Sequence, residues 1–377
     1  MKLSCLQENF KRGLAIASHA VAAKSTLPVL RNVLLSTEGG KLKMASTNLD
    51  ISLTCWIGAQ VDAEGAVTVP ARLLSDFVAN LPNDTIRLTL DEHTATVNLR
   101  CASTEANIKG IEAEEFPAIP VVQANQPTLR IPPDVLREAT NQVAFAAASD
   151  DTRPALAGVL IRMHGTTVTF TTTNGFRLSV KTIAVPESVQ SAQEMIVPVR
   201  ALTELGRISG DSVNPVELTV TPSGGQVHFH CDRVDLVSRL IDGKFPDYER
   251  IIPKQYATRS VLDRNALLQA TRQAAVFATA SANIVKLTLE SGNEWRSGRL
   301  TLSANATEVG DNRSAIEGQI VGEGGQIALN VKYLQEALNA MPTAQVAFET
   351  QTGASPGVFR PVGEDGYIHI IMPMTIG

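Results

Sequence analysis

The sequence has 377 residues, of which 44% are hydrophobic and 19% are charged, and its formal net charge is −5. This composition excludes a disordered chain and predicts a globular protein of two or three domains at the usual ~100–200 residues each. The negative net charge excludes a protein that coats nucleic acid by bulk attraction, although it is compatible with a locally basic surface on an acidic body.

The cysteines and the N-terminus indicate where the protein works. Cys5, Cys55, Cys101 and Cys231 show no CxxC spacing, which is typical of buried thiols in a reducing compartment. The N-terminal MKLSCLQENF lacks an apolar signal core, and no apolar run approaches the ~18 residues of a transmembrane helix. We therefore expect a soluble cytoplasmic protein.

A first kind of amphipathic helix is predicted once in each third of the chain, at residues 8–22, 133–147 and 263–280. In the first copy, apolar side chains recur at helical spacing on one face. Asp134 and Asp263 stand where acidic residues favour the start of a helix.

A strand followed by a polar turn also recurs three times, at residues 45–53, 171–180 and 302–311. Asn48, Asn174 and Asn305 occupy the matching places. Because asparagine tolerates left-handed turn conformations, these residues predict a turn between strands in each copy.

A second kind of helix is predicted at residues 69–82, 197–210 and 329–342, with offsets of 197 − 69 = 128 and 329 − 197 = 132. Each copy carries a cation at its fourth position, and these cations are Arg72, Arg200 and Lys332. A repeat of this length is a whole domain and not a solenoid unit.

The stretches between the helices are rich in β-forming residues. Residues 33–47, 159–173 and 285–304 each predict a strand, a glycine turn and a second strand. Each third is therefore an α+β domain, in which two helices pack on antiparallel sheets. Proline-bearing connectors at residues 116–127 and 245–256 place the domains at 1–122, 123–253 and 254–377.

Catalytic motifs are largely missing from the sequence. There is no P-loop, dinucleotide fingerprint, HExxH or GxSxG motif. Asp150 and Asp151 could form a metal-binding pair, although a turn at a helix end is the simpler interpretation. His228 and His230 share one strand face and could be half of a metal site, but no further ligand completes it. We predict no metal, no cofactor and no enzymatic activity.

The basic residues are more informative. Arg72, Arg200 and Lys332 repeat at equivalent positions, and Arg200 and Arg207 lie seven residues apart on one helix face. Any one of these residues could simply be solvated. Their repetition favours a surface that faces a polyanion, because cations on helices can contact phosphates without reading bases.

The sequence resembles one family, the bacterial sliding clamp, which is the beta subunit of DNA polymerase III. The stretches that carry the resemblance include TNLDISL, TVPARLLSDF, TNGFRLSV, LIDGKFPDYERIIP and YIHIIMPM, and it extends from residue 24 to the C-terminus. It implies a non-catalytic head-to-tail homodimer, closed as a ring of six similar domains around duplex DNA without sequence specificity. The ring would tether the polymerase III alpha subunit, and would also bind the clamp loader and other proteins that carry short clamp-binding peptides.

The resemblance also implies site residues. The expected DNA-facing residues are Lys24, Arg72, Arg137, Arg153, Arg200, Arg207 and Lys332. The expected apolar pocket for a partner peptide is lined by Leu156, Thr173, Gly175, Phe176, Arg177, Leu178, Pro246, Arg250, Ile251, Asn330, Tyr333, Ile371, Met372, Pro373 and Met374. The expected dimer interface joins Phe77 and Ile108 to Val276 and Phe277.

The chain departs from the family pattern at several positions. Phe176 stands where histidine is common, Pro154 and Ala155 replace an aromatic pair, and the chain ends in Thr-Ile-Gly. Asp150 falls at a position that contacts DNA in the family, but its charge would repel phosphate. Two alternatives remain open, which are a ring-like interaction scaffold that does not load onto DNA and a DNA-modifying enzyme.

Overall fold

The computed structural model describes residues 1–22, 24–120, 128–150, 152–221, 224–293 and 297–375. These residues form six α-helices and 24 strands, and every strand pairing among them is antiparallel. Contacts divide the chain into two compact units, Met1–Arg137 with Arg200–Leu240, and Glu138–Val199 with Ile241–Gly377.

The helices are α1 (Gln7–Ser18), α2 (Ala71–Ala79), α3 (Pro133–Val143), α4 (Val199–Ile208), α5 (Arg264–Ala278) and α6 (Val331–Ala340). The strands up to residue 131 are β1 (Lys2–Leu6), β2 (Asn32–Glu38), β3 (Lys41–Thr47), β4 (Ile51–Gly58), β5 (Gln60–Ala63), β6 (Ala66–Pro70), β7 (Thr85–Asp91), β8 (Thr96–Cys101), β9 (Thr104–Lys109), β10 (Ile111–Glu112) and β11 (Leu129–Ile131). The later strands are β12 (Gly158–Thr173), β13 (Arg177–Pro198), β14 (Val216–Val220), β15 (Gln226–Cys231), β16 (Val234–Arg239), β17 (Thr258–Asp263), β18 (Ile284–Glu290), β19 (Gly298–Ala306), β20 (Gly310–Gly322), β21 (Gly325–Asn330), β22 (Gln345–Thr350), β23 (Gly357–Pro361) and β24 (Tyr367–Ile371).

The first unit contains a five-stranded sheet in the order β5-β1-β7-β8-β9 and a nine-stranded sheet in the order β10-β6-β2-β3-β4-β16-β15-β14-β11. Helices α1 and α2 lie against each other, and the Gln7 side chain donates a 2.8 Å hydrogen bond to the carbonyl of Val78. Phe10 and Leu14 of α1 and Leu74 of α2 are buried in the core with residues from both sheets. This burial explains the helical spacing of the apolar residues in the sequence.

The second unit contains one ten-stranded sheet in the order β12-β13-β24-β23-β22-β17-β20-β19-β18-β21. Helices α5 and α6 pack together on a core that includes Phe348 and Phe359, whose rings stack at 4.7 Å. Asp263 caps α5, because its side chain accepts a hydrogen bond from the Ala266 amide at 2.7 Å. Asn330 caps α6 by accepting from the amides of Lys332 and Tyr333.

All six predicted helices are present, with shorter bounds than the sequence suggested. The predicted α+β architecture of helix pairs on antiparallel sheets is confirmed. The hairpin predicted at residues 159–173 is wrong, because this stretch is the single strand β12. Gly165 there has a φ of 56° and lies at a register shift against β13, so the glycine makes a bulge and not a turn.

The predicted asparagine turns occur in two of the three copies. The Asn48 side chain accepts hydrogen bonds from the amides of Asp50 and Ile51, and Asn174 does the same for Phe176 and Arg177. The left-handed residue is the one after each asparagine, Leu49 (φ 78°) or Gly175 (φ 91°). Asn305 instead lies within β19, opposite Asp311.

All four cysteines are buried, as predicted, and none of them forms a disulfide. Within the described ranges, no helix is long and apolar enough to cross a membrane.

Candidate partner-peptide cleft and cationic positions

An aliphatic cluster covers one face of the sheet where β13 meets β24. Leu178 lies opposite Ile370, and Val180 lies opposite Ile368. Leu156, from the short 3-10 turn Pro154–Ala157, packs on the same cluster. Because side chains alternate along a strand, residues two apart on β13 and on β24 contribute to one continuous apolar surface.

The segment after residue 244 borders this cluster. Phe245 and Tyr248 are buried in it, with their rings edge to face at 6.4 Å. Pro246 is exposed, and Ile251 is 38% exposed at the end of the 3-10 turn Tyr248–Ile251. The Arg250 side chain is 86% exposed, and its only ion pair among the described residues is with Asp247 at 2.7 Å. This cation is therefore accessible beside the apolar surface.

The C-terminal tail forms the opposite border. The Met372 amide donates to the carbonyl of Phe176, and the Met374 amide donates to the carbonyl of Ala328, both at 2.8 Å. Met372, Pro373 and Met374 are half-buried, whereas Phe176 is 62% exposed. The tail is thus held by backbone hydrogen bonds, and its apolar side chains remain partly open to solvent.

A cavity of about 520 Å³ lies beside this tail. Pro373 and Met374 line it together with Ala328 and with Gly353 and Ala354 from the loop between β22 and β23. The sequence analysis missed Ala328, Gly353 and Ala354, because small residues in a loop carry no periodic signal. Their small size leaves the space that the cavity occupies.

The turn before β13 decides which side chains face the cleft. The Thr173 hydroxyl bonds to the carbonyl of Arg177, and the Gly175 amide donates to the Thr173 hydroxyl at 3.0 Å. Gly175 has a positive φ that a side chain would strain, and an added Cβ would lie 3.1 Å from the Arg153 guanidinium. This turn leaves Phe176 exposed and makes Arg177 and Leu178 the first residues of the strand.

Arg177 lies on the sheet face opposite Leu178 and is 7% exposed. Its guanidinium bonds to the Glu336 carboxylate and to the carbonyl of Phe145, and it lies 4.3 Å from the centroid of the Tyr333 ring. The Tyr333 hydroxyl accepts a hydrogen bond from the Asn174 side chain at 3.3 Å. Arg177 and Tyr333 therefore fix the turn from behind, and Arg177 is not an open cation for a peptide.

Buried polar residues support the sheet from the same side as Arg177. Ser179 Oγ lies 2.6 Å from His369 Nδ1, and the His369 ring stacks on Phe145 with centroids 5.2 Å apart. Burial, assisted by the nearby Arg177 charge, lowers the pKa of His369 to about 3. This histidine is therefore neutral near pH 7 and supports the cleft without adding charge.

The three repeated cations occupy one structural position. Arg72, Arg200 and Lys332 are each the second residue of their helix, in α2, α4 and α6, and all three are exposed. A cation at a helix N-terminus opposes the helix dipole, so this position does not serve helix stability. Arg72 lies 3.8 Å from Asp76, and Arg200 bonds to the carbonyl of His19 at 3.3 Å.

The other predicted DNA-facing residues are also exposed: Lys24, Arg137, Arg153 and Arg207. Arg137 donates to the carbonyl of Gly210, and Arg153 donates to the carbonyl of Asn174. These bonds use backbone acceptors and leave the positive charge without compensation. Arg207 is different, because the carboxylate of Glu204 lies 3.3 Å away.

The predicted interface residues differ in exposure. Val276 is 68% exposed, whereas Phe77 and Phe277 are half-buried against the cores of their own units. Ile108 is 5% exposed and belongs to the core of the first unit. Leu73, one helical turn before Phe77, is 53% exposed and was missed, although its i, i+4 spacing marks it.

The candidate metal ligands of the sequence have other partners. Asp150 accepts hydrogen bonds from the hydroxyl and the amide of Thr152, which lower the pKa of its carboxyl. Asp151 lies outside the described residues. His228 and His230 both contact Asp235 Oδ1, at 3.2 and 2.6 Å. The described ranges contain no group of three His, Cys, Asp or Glu residues that could hold a metal.

Repeated helix pairs on antiparallel sheets, with an aliphatic cleft near the C-terminus, define the DNA clamp class of replication proteins. Family models for the N-terminal, central and C-terminal domains of the DNA polymerase III beta subunit match residues 1–120, 130–247 and 249–375. The chain belongs to this family, the bacterial sliding clamps, and is a DNA-encircling processivity factor. The family is the non-catalytic clamp of the polymerase.

Individual relatives match along their whole length. The beta sliding clamp of Synechococcus elongatus is 34% identical over 379 residues, and that of Synechocystis is 32% identical over 399 residues. Both alignments cover 100% of this chain and 100% of the relative. The crystal structure of the Bacillus subtilis sliding clamp has a TM-score of 0.93 at 25% identity, again with 100% of both chains covered.

Proposed function

We propose that two copies of this chain close head to tail into a ring around duplex DNA. In this arrangement Phe77 and Leu73 of one copy pack against Val276 and Phe277 of the other. The exposure of Leu73 and Val276 supports the proposal, because exposed apolar side chains that cluster mark interaction surfaces. Ile108 would support Phe77 from within the core. The protein would act in the cytoplasm, with the bacterial chromosome.

We also propose three domains, at residues 1–122, 123–253 and 254–377. The family models support these boundaries, because their matches begin and end within a few residues of them.

The DNA would be held mainly by topology and only weakly by charge. Arg72, Arg200 and Lys332 would contact phosphates, together with Lys24, Arg137 and Arg153. The support is their exposure and the unfavourable position of the first three at helix N-termini. Because such contacts read no bases, binding would not depend on sequence.

The cleft would bind short peptides of the polymerase III alpha subunit, the clamp loader and other DNA-processing proteins. The observation that carries this proposal is the aliphatic cluster of Leu156, Leu178 and Ile370, bordered by the half-buried Met372–Met374 tail. An apolar cleft with a few polar groups suits a peptide with two or three hydrophobic anchors. Arg250, and not Arg177, would meet an acidic or carbonyl group of the peptide.

The test is loading onto nicked circular DNA, followed by sedimentation. A clamp should stay with the circle and slide off after the DNA is linearised. A peptide-binding scaffold would pass the peptide titration and fail the loading assay. A DNA-modifying enzyme would alter the DNA in a metal-dependent manner, which would contradict the proposal.

A further inference from the structure

We propose that a cavity in the first unit binds a small amphipathic anion, a carboxylate carried on an aliphatic or aromatic body. The cavity has a volume of about 510 Å³ and lies between α1, β4, the turn from β15 to β16 and the segment after α4. None of its lining residues belongs to the peptide cleft, to the seven predicted DNA-facing cations or to the interface. The site is therefore independent of the proposed function.

The inner walls of the cavity are apolar. Ile16, Trp56, Ile57 and Val234 line it. Trp56, Ile16 and Val234 are half-buried, so part of each side chain is open to the cavity or to solvent. Small-molecule sites are mostly apolar and measure roughly 300–1,000 Å³, so this space fits a ligand about as large as a dipeptide.

The polar groups of the cavity select a negative charge. Arg12 and Arg233 both line it and are exposed. Arg233 forms no side-chain hydrogen bond or ion pair with the part of the chain that the structure describes. The one carboxylate in the lining, Asp232, already accepts a 2.7 Å hydrogen bond from the Asn214 side chain. Hydrogen bonds from Asn214 and Ser212 lower the pKa of Asp232, which is therefore committed to its own turn. A guanidinium without a carboxylate partner is suited to a bidentate contact with a ligand carboxylate.

The turn that carries Arg233 is held in place. Asp232 has a left-handed φ of 54°, which aspartate tolerates better than most residues. The carbonyl of Arg233 accepts a 3.1 Å hydrogen bond from the Trp56 amide. The cation and the aromatic wall are thus tied to each other through the backbone, and little ordering remains to be done when a ligand binds.

Two thiols provide a chemical readout. Cys55 lies opposite Val234 and Val234 lies opposite Cys231 on neighbouring strands, and both cysteines line the cavity. Cys5 and Cys101 are buried in the same unit but do not line the cavity. A ligand in the cavity should protect the first two thiols from alkylation and leave the other two unaffected.

The experiment uses 4-phenylbutyrate as the probe and 4-phenylbutanol as its neutral match. Trp56 and Trp295 are the only tryptophans of the sequence, so Trp295→Phe makes Trp56 the sole fluorescent reporter. The acid should change the Trp56 emission and bind about tenfold more tightly than the alcohol, as expected for one charge-assisted contact. Arg233→Gln should remove this preference, whereas Arg239→Gln, on the same strand but outside the cavity, should retain it.

Other results would overturn the proposal. Equal affinity for the acid and the alcohol would remove the role of charge. Competition by inorganic phosphate at the same concentration as 4-phenylbutyrate would mean that the two arginines form a site for phosphate, such as that of DNA. If Trp295→Phe does not fold, alkylation of the wild-type protein decides instead, and equal protection of all four cysteines would contradict a ligand in this cavity.

Discussion

Asp235 on β16 lies directly opposite Thr54 on β4, at the position where the second unit has Ile368 on β24 opposite Val180 on β13. The two strand pairs correspond, because β4 and β13 follow the same asparagine turn with an offset of 174 − 48 = 126. The same sheet position is thus polar in the first unit and aliphatic in the second. The repeat therefore provides one apolar cleft per chain and not two.

The first prediction concerns the cleft and its tail. Peptides with a Leu-Phe end should bind at one per chain, measured by calorimetry. Deletion of residues 373–377 should abolish binding, because Pro373 and Met374 line the cavity beside the cleft, and each buried apolar side chain contributes about 1.5–3 kcal/mol. The matched control deletes residues 376–377 alone and should keep the affinity. Unchanged binding in the longer deletion would place the cleft elsewhere.

The second prediction separates two neighbouring arginines. Arg250→Ala should weaken peptide binding several-fold and leave the unfolding midpoint in urea unchanged, because Arg250 is exposed beside the cleft. Arg177→Ala should instead lower the free energy of unfolding by about 2 kcal/mol, because its buried guanidinium bonds to Glu336 and to the carbonyl of Phe145. If Arg177→Ala leaves stability intact and removes only peptide binding, the structural role assigned to Arg177 is wrong.

The sequence predicted the repeated elements well, because helical periodicity and a recurring Asn turn are local signals. It failed where long-range pairing decides the outcome. Gly165 indicates a turn locally, yet β12 continues past it because both of its halves pair with β13. Arg177 was expected in the cleft, and only the strand alternation beside Leu178 shows that it faces the opposite side.

The third prediction tests the dimer seam. Val276→Asp should give monomers in analytical ultracentrifugation, because the seam would bury an unpaired carboxylate. Since Val276 is 68% exposed in the single chain, the fold should tolerate the change. Val321 is a matched control, being 60% exposed in the same unit, and Val321→Asp should remain a dimer. A dimeric Val276→Asp protein would exclude this residue from the interface.

The fourth prediction concerns the repeated cations. Replacement of Arg72, Arg200 and Lys332 by alanine should reduce the dependence of log K on log salt for linear duplex by up to about 2.7, at ~0.9 per phosphate contact. The wild-type affinity itself should be low and independent of sequence. A control triple variant removes the exposed cations Arg87, Lys109 and Arg239, which lie on strands. An equal loss of slope in the control would mean that the repeated positions are not special.

The last prediction concerns the pH dependence that Asp235 creates. Burial raises the pKa of Asp235, but hydrogen bonds from His228 and His230 outweigh it and bring the value to about 2. The stability that this carboxylate contributes is therefore present above pH 4 and is lost as the pH falls from about 4 to about 2. The same hydrogen bond raises the pKa of His230 above 6.5, so its contribution is present below pH 6.5 and disappears as the pH rises through the raised value. Asp235→Asn should consequently lower the free energy of unfolding by about 2 kcal/mol between pH 4 and 6, and by less at pH 8 or near pH 2. Urea unfolding across this range measures the profile, with the exposed Asp50→Asn as the control that should show no such window. A constant penalty at all pH values would mean that Asp235 acts through packing and not through its charge.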